Sequence, residues 1–216
     1  MGKITSKIKN DLSVTILTDI VDKGEDLFIY APGSSSNVHD PFGHFLSQYL
    51  PQNRISLIRF HFPYQELGKR SPDGHNVLVK TWTEVLQWSQ KYQLNTVIGG
   101  RSLGGKIASF IAPENKQIRG LALFAYPFHA PGRPAMAKND HLSQIKLPVF
   151  FCTGARDTFA DINIVRKTLS TIPNNSFTSL AEADHGFAPR KSALETQEEL
   201  WSKATGAFIN WHKTMH

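Results

Sequence analysis

The most constraining feature of this sequence is a serine with glycines two positions away on either side, in residues 100–104 (Gly-Arg-Ser-Leu-Gly). An apolar run over residues 95–98 precedes it, and a helix-like segment over residues 105–112 follows it. A sharp turn from a strand into a helix crowds the backbone, so glycine is needed on both sides of the central residue. The pattern therefore predicts a nucleophile elbow that lifts Ser102 clear of its own backbone.

Two later strand ends supply candidate partners for Ser102. A buried strand predicted over residues 147–153 runs into Asp157, and a short strand predicted over residues 176–180 is followed by His185. Taken alone, a loop aspartate is more often a turn former, and a histidine beside glycine is more often a solvated loop residue. Their occurrence in the order serine, acid, histidine, each at a strand end, favours a catalytic triad in which His185 is the base.

Asp157, rather than Asp161 or Asp184, is the expected partner of His185. Asp184 adjoins the histidine in sequence, and consecutive side chains in an extended loop diverge. We therefore expect an Asp157 carboxylate oxygen within about 3.2 Å of His185 Nδ1.

A phosphate-binding loop is the main competing interpretation of the glycines. Residues 100–106 also fit the pattern G-x-x-x-x-G-K, but the next position holds Ile107 where a serine or threonine hydroxyl would bind Mg²⁺. The elbow already explains the glycines, so the nucleotide-binding interpretation is not favoured.

The composition is that of an ordinary globular protein. The chain has 216 residues, 40% of them hydrophobic and 19% charged, without an internal repeat, and we expect one domain over residues 1–216. Its single cysteine, Cys152, cannot form an internal disulfide and is expected to be a small buried hydrophobe in the strand over residues 147–153.

The charge pattern and the N-terminal sequence limit the expected partners and location. The formal net charge is +6, yet the basic residues occur singly or in pairs, without the basic blocks expected of a nucleic-acid surface. Residues 1–22 contain no apolar core of signal-peptide length, and no apolar segment is long enough to span a membrane. We therefore expect a cytoplasmic protein with neither a nucleic-acid nor a membrane partner.

Strand-like and helix-like segments alternate along the chain. Strands are predicted over residues 13–20, 26–30, 55–60, 95–98, 119–126, 147–153 and 176–180, and helices over residues 41–50, 76–92, 105–112, 161–172 and 196–213. Such alternation predicts a parallel sheet covered by helices on both faces. The connection between residues 126 and 147 is only about twenty residues long, so any lid over the sheet edge is expected to be small.

These segments resemble the α/β hydrolases, specifically the small KANL/TEX-like branch, with dienelactone-hydrolase-like enzymes as broader kin. The resemblance covers nearly the whole chain and rests on residues 59–64 with 68–73, 99–105, 154–157 and 184–187. It implies an α/β-hydrolase fold, with a mostly parallel central sheet, helices on both faces and a minimal lid. No cofactor is expected. Since no His, Cys or carboxylate set has metal-ligand spacing, no metal is expected either.

One segment departs from the family pattern. Where the family usually has His-Gly-small-Gly after the third strand, this chain has Pro-Gly-Ser-Ser at residues 32–35. The family uses a backbone N–H of this loop in its oxyanion hole, so we expect the N–H groups of Ser34 and Leu103 to serve. The serine at position 35 leaves open which N–H points inward.

Five aromatic residues follow predicted strand ends near the expected site: Phe62, Tyr64, Phe128, Phe159 and Phe187. Each could equally belong to the core, but their convergence favours a small carboxylic ester or thioester as substrate. His61 and His129 are expected to be hydrogen-bonded loop residues.

A second class of function remains open from sequence alone. A hydrolase fold can serve as a catalytically idle scaffold or binding module. The presence of all three triad residues argues for an enzyme.

Overall fold

In the computed structural model of this chain, residues 2–7, 13–113 and 115–215 are described, and eight strands among them form one sheet. The strands are β1 (Gly2–Lys7), β2 (Ser13–Asp19), β3 (Asp26–Ala31), β4 (Ile55–Phe60), β5 (Asn95–Arg101), β6 (Ile118–Phe124), β7 (Val149–Gly154) and β8 (Asn175–Leu180). The helices are α1 (Pro41–Tyr49), α2 (Pro63–Glu66), α3 (His75–Ser89), α4 (Leu103–Ile111), α5 (Ile162–Leu169) and α6 (Gln197–Lys213).

The strand order is β1-β2-β4-β3-β5-β6-β7-β8. The pairs β1–β2 and β2–β4 are antiparallel, and all the other pairs are parallel. Parallel strands need crossover helices, which cover the sheet and bury the central strands on both faces. Every residue of β4 and β7 is accordingly buried. The expected α/β-hydrolase architecture is confirmed.

Two apolar cores, one on each face of the sheet, hold the helices in place. On one face α3, α4 and α5 contribute side chains that include Trp82, Ile107 and Val165. On the other face α1 and α6 contribute Phe42 and Phe208, which pack around Phe124 of β6 with ring centroids 5.2 and 5.9 Å away. Burial of such side chains contributes about 1.5–3 kcal/mol each.

The structure adds elements that the sequence patterns did not predict. Strand β1 and the single turn of α2 were both missed, and α2 is only four residues long with Pro63 at its first position. The strand predicted over residues 119–126 ends at Phe124, because Ala125 has a positive φ of 46°. Helix α5 ends at Leu169, three residues before the predicted end.

Cys152 lies in β7 and is buried, as predicted. Burial raises the pKa of its thiol well above the ordinary value, so it stays protonated and unreactive. Among the described residues, no helix combines the length and apolarity that crossing a bilayer requires.

The connection from β6 to β7 is a short cover that packs against α4. It contains two short 3-10 helices, Pro134–Met136 and Asp140–Gln144, and no longer helix among its residues, all of which are described. The imidazole of His141 stacks on Phe110 of α4, and its Nε2 lies 2.8 Å from Ser109 Oγ. Burial of the imidazole and, to a smaller extent, the nearby charge of Lys106 lower the pKa of His141 to about 4. The His141 side chain is therefore uncharged at neutral pH.

Close approach of the backbone explains the glycines of the β5–α4 turn. A Cβ added to Gly100 or to Gly104 would lie 2.1 Å from the carbonyl oxygen of Ala31 in the neighbouring strand. No side chain larger than hydrogen fits at that distance. Ser102, between these glycines, has φ 49° and ψ −115°. A non-glycine residue in this region costs on the order of 1–3 kcal/mol, which the surrounding packing must offset.

We expect Gly104→Ala to lower the free energy of unfolding by about 3 kcal/mol, because the new methyl group collides with backbone that cannot move aside. Gly206→Ala is a matched control, since Gly206 lies in α6 with no atom within 4 Å of the added Cβ. That variant should gain up to about 1 kcal/mol from helix propensity. Urea denaturation of both variants measures the effect, and equal stability of the two would contradict this account of the turn.

Candidate active site

Ser102, His185 and Asp157 form one hydrogen-bonded chain. Ser102 Oγ lies 3.0 Å from His185 Nε2, and His185 Nδ1 lies 2.8 Å from Asp157 Oδ2. The Asp157 side chain is fully buried, whereas 23% of the His185 side chain is exposed. The structure thus brings together the three side chains that the sequence nominated, and leaves the histidine accessible from solvent.

Three strand ends position these side chains. Ser102 stands between β5 and α4, Asp157 follows β7, and His185 follows β8. Because β5, β6, β7 and β8 run parallel, their carboxyl ends meet at one edge of the sheet. The loops after β7 and β8 are in close contact, since a Cβ on Gly154 would lie 2.2 Å from the carbonyl oxygen of Ala183.

Asp157 fixes the protonation pattern of the imidazole. A carboxylate can only accept, so Nδ1 carries the proton and Nε2 presents a lone pair to the Ser102 hydroxyl. The second carboxylate oxygen of Asp157 accepts a hydrogen bond from the Phe159 N–H at 2.8 Å. The Phe159 ring lies over the imidazole with centroids 4.2 Å apart. The ring of His185 is therefore held on its edge and on one face.

The two neighbouring aspartates have other partners. Asp184 Oδ1 accepts the backbone N–H groups of Gly186 and Ala188 at 2.7 and 2.9 Å, which shapes the turn that carries His185. Asp161 caps α5 by accepting the N–H groups of Asn163 and Ile164. Both contacts are backbone caps of the kind aspartate commonly makes at turns and helix starts.

The loop after β3 passes beside the serine. A Cβ on Gly33 would lie 3.6 Å from Ser102 Cβ, and the Gly104 N–H donates to the Pro32 carbonyl at 3.1 Å. Leu103 is the first residue of α4, so its N–H has no acceptor within the helix and lies at the positive end of the helix dipole. The loop after β3 and the first residue of α4 therefore both lie beside Ser102.

Four of the five aromatic candidates belong to the core. Phe62, Tyr64, Phe128 and Phe187 are at most 1% exposed. They therefore offer no surface to a substrate, and the core interpretation holds for them. Phe159 alone among the five is partly exposed, beside His185.

His61 and His129 are hydrogen-bonded loop residues, as expected. His61 Nδ1 accepts the Val38 N–H at 3.1 Å, while its Nε2 contacts Glu66. His129 Nε2 accepts the Asp161 N–H at 2.8 Å, and its Nδ1 contacts the carbonyl of Ala130. Each ring accepts a backbone N–H from another segment with one nitrogen and has a second partner at the other nitrogen.

A buried polar group next to the serine was not predicted. Arg101 Nη1 lies 3.4 Å from Asp40 Oδ1, and the Tyr30 hydroxyl donates to Asp40 Oδ2 at 2.7 Å. Burial raises the pKa of Tyr30 well above its ordinary value, so the phenol remains a donor. Arg101 and Asp40 are 61 positions apart, so no local spacing could reveal the pair.

The described residues also form a cavity away from Ser102. It has a volume of about 870 Å³ and lies at the amino ends of β6, β7 and β8, where its lining includes Arg119, Asn175 and Trp211. Among the side chains described, no three His, Cys, Asp or Glu form a group that could hold a metal ion.

We expect Asp157→Asn to change the tautomer of His185, because the Asn amide can donate to Nδ1 and drive the proton to Nε2. Nitrogen NMR of the imidazole, assigned with a His185→Ala variant, should show protonated Nδ1 in the wild type and protonated Nε2 in Asp157→Asn. Asp161→Asn is the control and should leave the tautomer unchanged. An unchanged tautomer in Asp157→Asn would mean that another group orients the ring.

Comparison with known proteins gives the same architecture over nearly the whole chain. The structure resembles a dienelactone hydrolase from Anabaena variabilis, with a TM-score of 0.75 and 15% identity over 97% of this chain and 96% of that one. An alpha-beta serine hydrolase homologue from Coxiella burnetii matches with a TM-score of 0.75 and 18% identity, over 95% and 96% of the two chains. A serine hydrolase without a lid from Xanthomonas campestris matches with a TM-score of 0.71 and 14% identity, over 97% and 94%.

Sequence comparison assigns the family directly. The family model described as the alpha/beta hydrolase domain matches residues 24–213, which span β3 to α6 and include Ser102, Asp157 and His185. The chain therefore belongs to the alpha/beta hydrolase family.

Proposed function

We propose that the protein is a serine hydrolase that cleaves small carboxylic esters or thioesters through an acyl-enzyme. The observation that carries the proposal is the continuous hydrogen-bonded chain from Ser102 Oγ through His185 to the buried Asp157. A serine hydroxyl is a weak nucleophile unless an adjacent base removes its proton, and the 3.0 Å contact with Nε2 supplies that base.

The first half of the reaction forms the acyl-enzyme. Ser102 Oγ attacks the carbonyl carbon as its proton passes to His185 Nε2, and the carbonyl oxygen becomes an oxyanion. Asp157 stabilises the resulting imidazolium through the 2.8 Å contact at Nδ1. The imidazolium then returns the proton to the alkoxide or thiolate leaving group as its bond to the acyl carbon breaks.

The oxyanion needs donors that are in place before charge develops. In this proposal the N–H groups of Leu103 and Ser34 supply them, since one begins α4 and the other lies in the loop beside Ser102. A single donor of this kind contributes roughly 3–4 kcal/mol to the lowering of the barrier.

The second half releases the acid. Water loses a proton to His185 Nε2 and attacks the acyl carbon, and Ser102 Oγ leaves with that proton. The His185 side chain is 23% exposed, so the imidazole that receives this proton is in contact with solvent.

A direct test is covalent labelling by a fluorophosphonate probe, which reacts only with an activated serine. We expect labelling of the wild type and of the control Ser170→Ala, in which an exposed serine at the end of α5 is replaced. We expect no labelling of Ser102→Ala.

Ser102→Ala should reduce the rate of ester hydrolysis by roughly 10⁶-fold. Adding His185→Ala should reduce the rate little further, because triad members act as a unit. Retained activity in purified Ser102→Ala would overturn the proposal, and an unlabelled but folded wild type would favour an idle scaffold.

We also expect kcat/KM to peak for acetyl to butyryl esters and to fall at octanoyl. Each methylene of the acyl chain contributes about 0.8 kcal/mol to binding, but only where apolar protein surface covers it. Four of the five aromatic candidates are in the core, and the β6–β7 cover is short, so little apolar surface is available to a long acyl chain. A series of para-nitrophenyl esters measures this preference, and a maximum at decanoyl or beyond would contradict it.

A further inference from the structure

Side chains from a single turn of helix hold the loop that follows β3. The Tyr64 hydroxyl donates to the Ser34 carbonyl at 2.8 Å. Gln65 Nε2 donates to the Gly33 carbonyl at 3.0 Å and also to the Ser36 carbonyl. Three carbonyls of one short loop are thus bound by two adjacent residues of α2.

These contacts determine which way the loop N–H groups point. No peptide bond among the described residues is cis, and in a trans peptide the C=O and the following N–H point in opposite directions. The Gly33 carbonyl shares its peptide plane with the Ser34 N–H, and the Ser34 carbonyl shares its plane with the Ser35 N–H. Since both carbonyls are directed at α2, both N–H groups are directed away from it.

The opposite side of the loop is tied to the serine turn. The Pro32 carbonyl accepts the Gly104 N–H at 3.1 Å, and Gly33 lies against Ser102. The loop is therefore held between α2, which binds its carbonyls, and the start of α4, which lies beside the nucleophile.

The α2 turn is itself anchored on both sides. The Tyr64 N–H donates to Asp73 Oδ2 at 2.8 Å, and Gln65 Oε1 accepts the Phe62 N–H at 2.9 Å. Glu66 contacts His61 and accepts the Thr15 N–H at 2.7 Å. Burial raises the pKa of Tyr64 to about 12, so its hydroxyl remains a donor throughout the physiological range.

We propose that Tyr64 and Gln65 are positioning residues of the oxyanion hole, which hold the Gly33–Ser35 backbone so that the Ser34 N–H faces the reacting carbonyl. The proposal rests on the proposed function. It assigns Tyr64 a role through the loop instead of a contact with substrate, because the ring has no exposed surface. This chain has serine at position 35, where the family usually has glycine, and the Tyr64 and Gln65 side chains hold the backbone of that loop.

The two roles predict different kinetics. A substrate contact binds the ground state and the transition state alike, whereas a group that orients an oxyanion donor acts only when the oxyanion forms. Loss of the Tyr64 hydroxyl should therefore lower kcat and weaken inhibitors that form a tetrahedral oxyanion, while binding of the neutral substrate changes little.

The experiment compares Tyr64→Phe, Gln65→Met and the control Tyr126→Phe, which removes a hydroxyl from another fully buried tyrosine, after β6. With para-nitrophenyl acetate, Tyr64→Phe and Gln65→Met should each lose about 10-fold in kcat, part of the 10²–10³-fold cost of losing a donor outright. Their inhibition constants for a trifluoromethyl ketone should rise by the same factor. KM and the inhibition constant of the product acid should change less than twofold, and Tyr126→Phe should match the wild type.

The outcomes separate this proposal from the proposed function. If Ser102→Ala is inactive while both loop variants keep wild-type kcat and ketone affinity, the positioning role is wrong and the hydrolase assignment stands. A rise in KM alone would restore Tyr64 as a substrate contact. Thermal unfolding of each variant identifies a folding defect, and if Tyr64→Phe does not fold, Gln65→Met decides the question by the same criteria.

Discussion

The geometry of the site depends on the close approach between the backbone of the β5–α4 turn and the end of β3. Gly100 and Gly104 both lie where any Cβ would be 2.1 Å from the Ala31 carbonyl oxygen. This approach places Gly33 beside Ser102 and aligns the start of α4 with the loop after β3. It also holds Ser102 at a positive φ, with its N–H bound to the Phe124 carbonyl at 2.9 Å. The strained backbone of Ser102 is thus supported by the hydrogen bonding of the sheet.

The loops at this edge of the sheet are joined by side chains that satisfy one another's backbone groups. His61 accepts from Val38, His129 accepts from Asp161, and Asp184 accepts from the turn that it shares with His185. A buried backbone donor without a partner costs about 1–3 kcal/mol, so each bond opposes movement of the loop it holds. Histidines used in this way hold the backbone of the loops around the site.

The same principle connects the two proposals. A triad needs its donors and its base fixed before the substrate arrives, because reorganisation during the reaction would consume the electrostatic gain. The Phe159 ring restricts the imidazole of His185, and Tyr64 with Gln65 restricts the loop beside Ser102. Each of these side chains contacts a group that lies in a different segment of the chain.

The sequence by itself determined the features that depend on near neighbours. The elbow follows from a steric rule within five residues, and β4 (Ile55–Phe60) coincides with the predicted apolar run, because both depend on local spacing. Ser102, Asp157 and His185 could be nominated from their order at strand ends. Only the tertiary structure decided that Tyr64 and Phe187 are buried, that Arg101 meets Asp40, and that α2 binds the loop after β3. These contacts depend on which distant segment packs against a residue, and the local periodicity of a sequence does not predict such contacts.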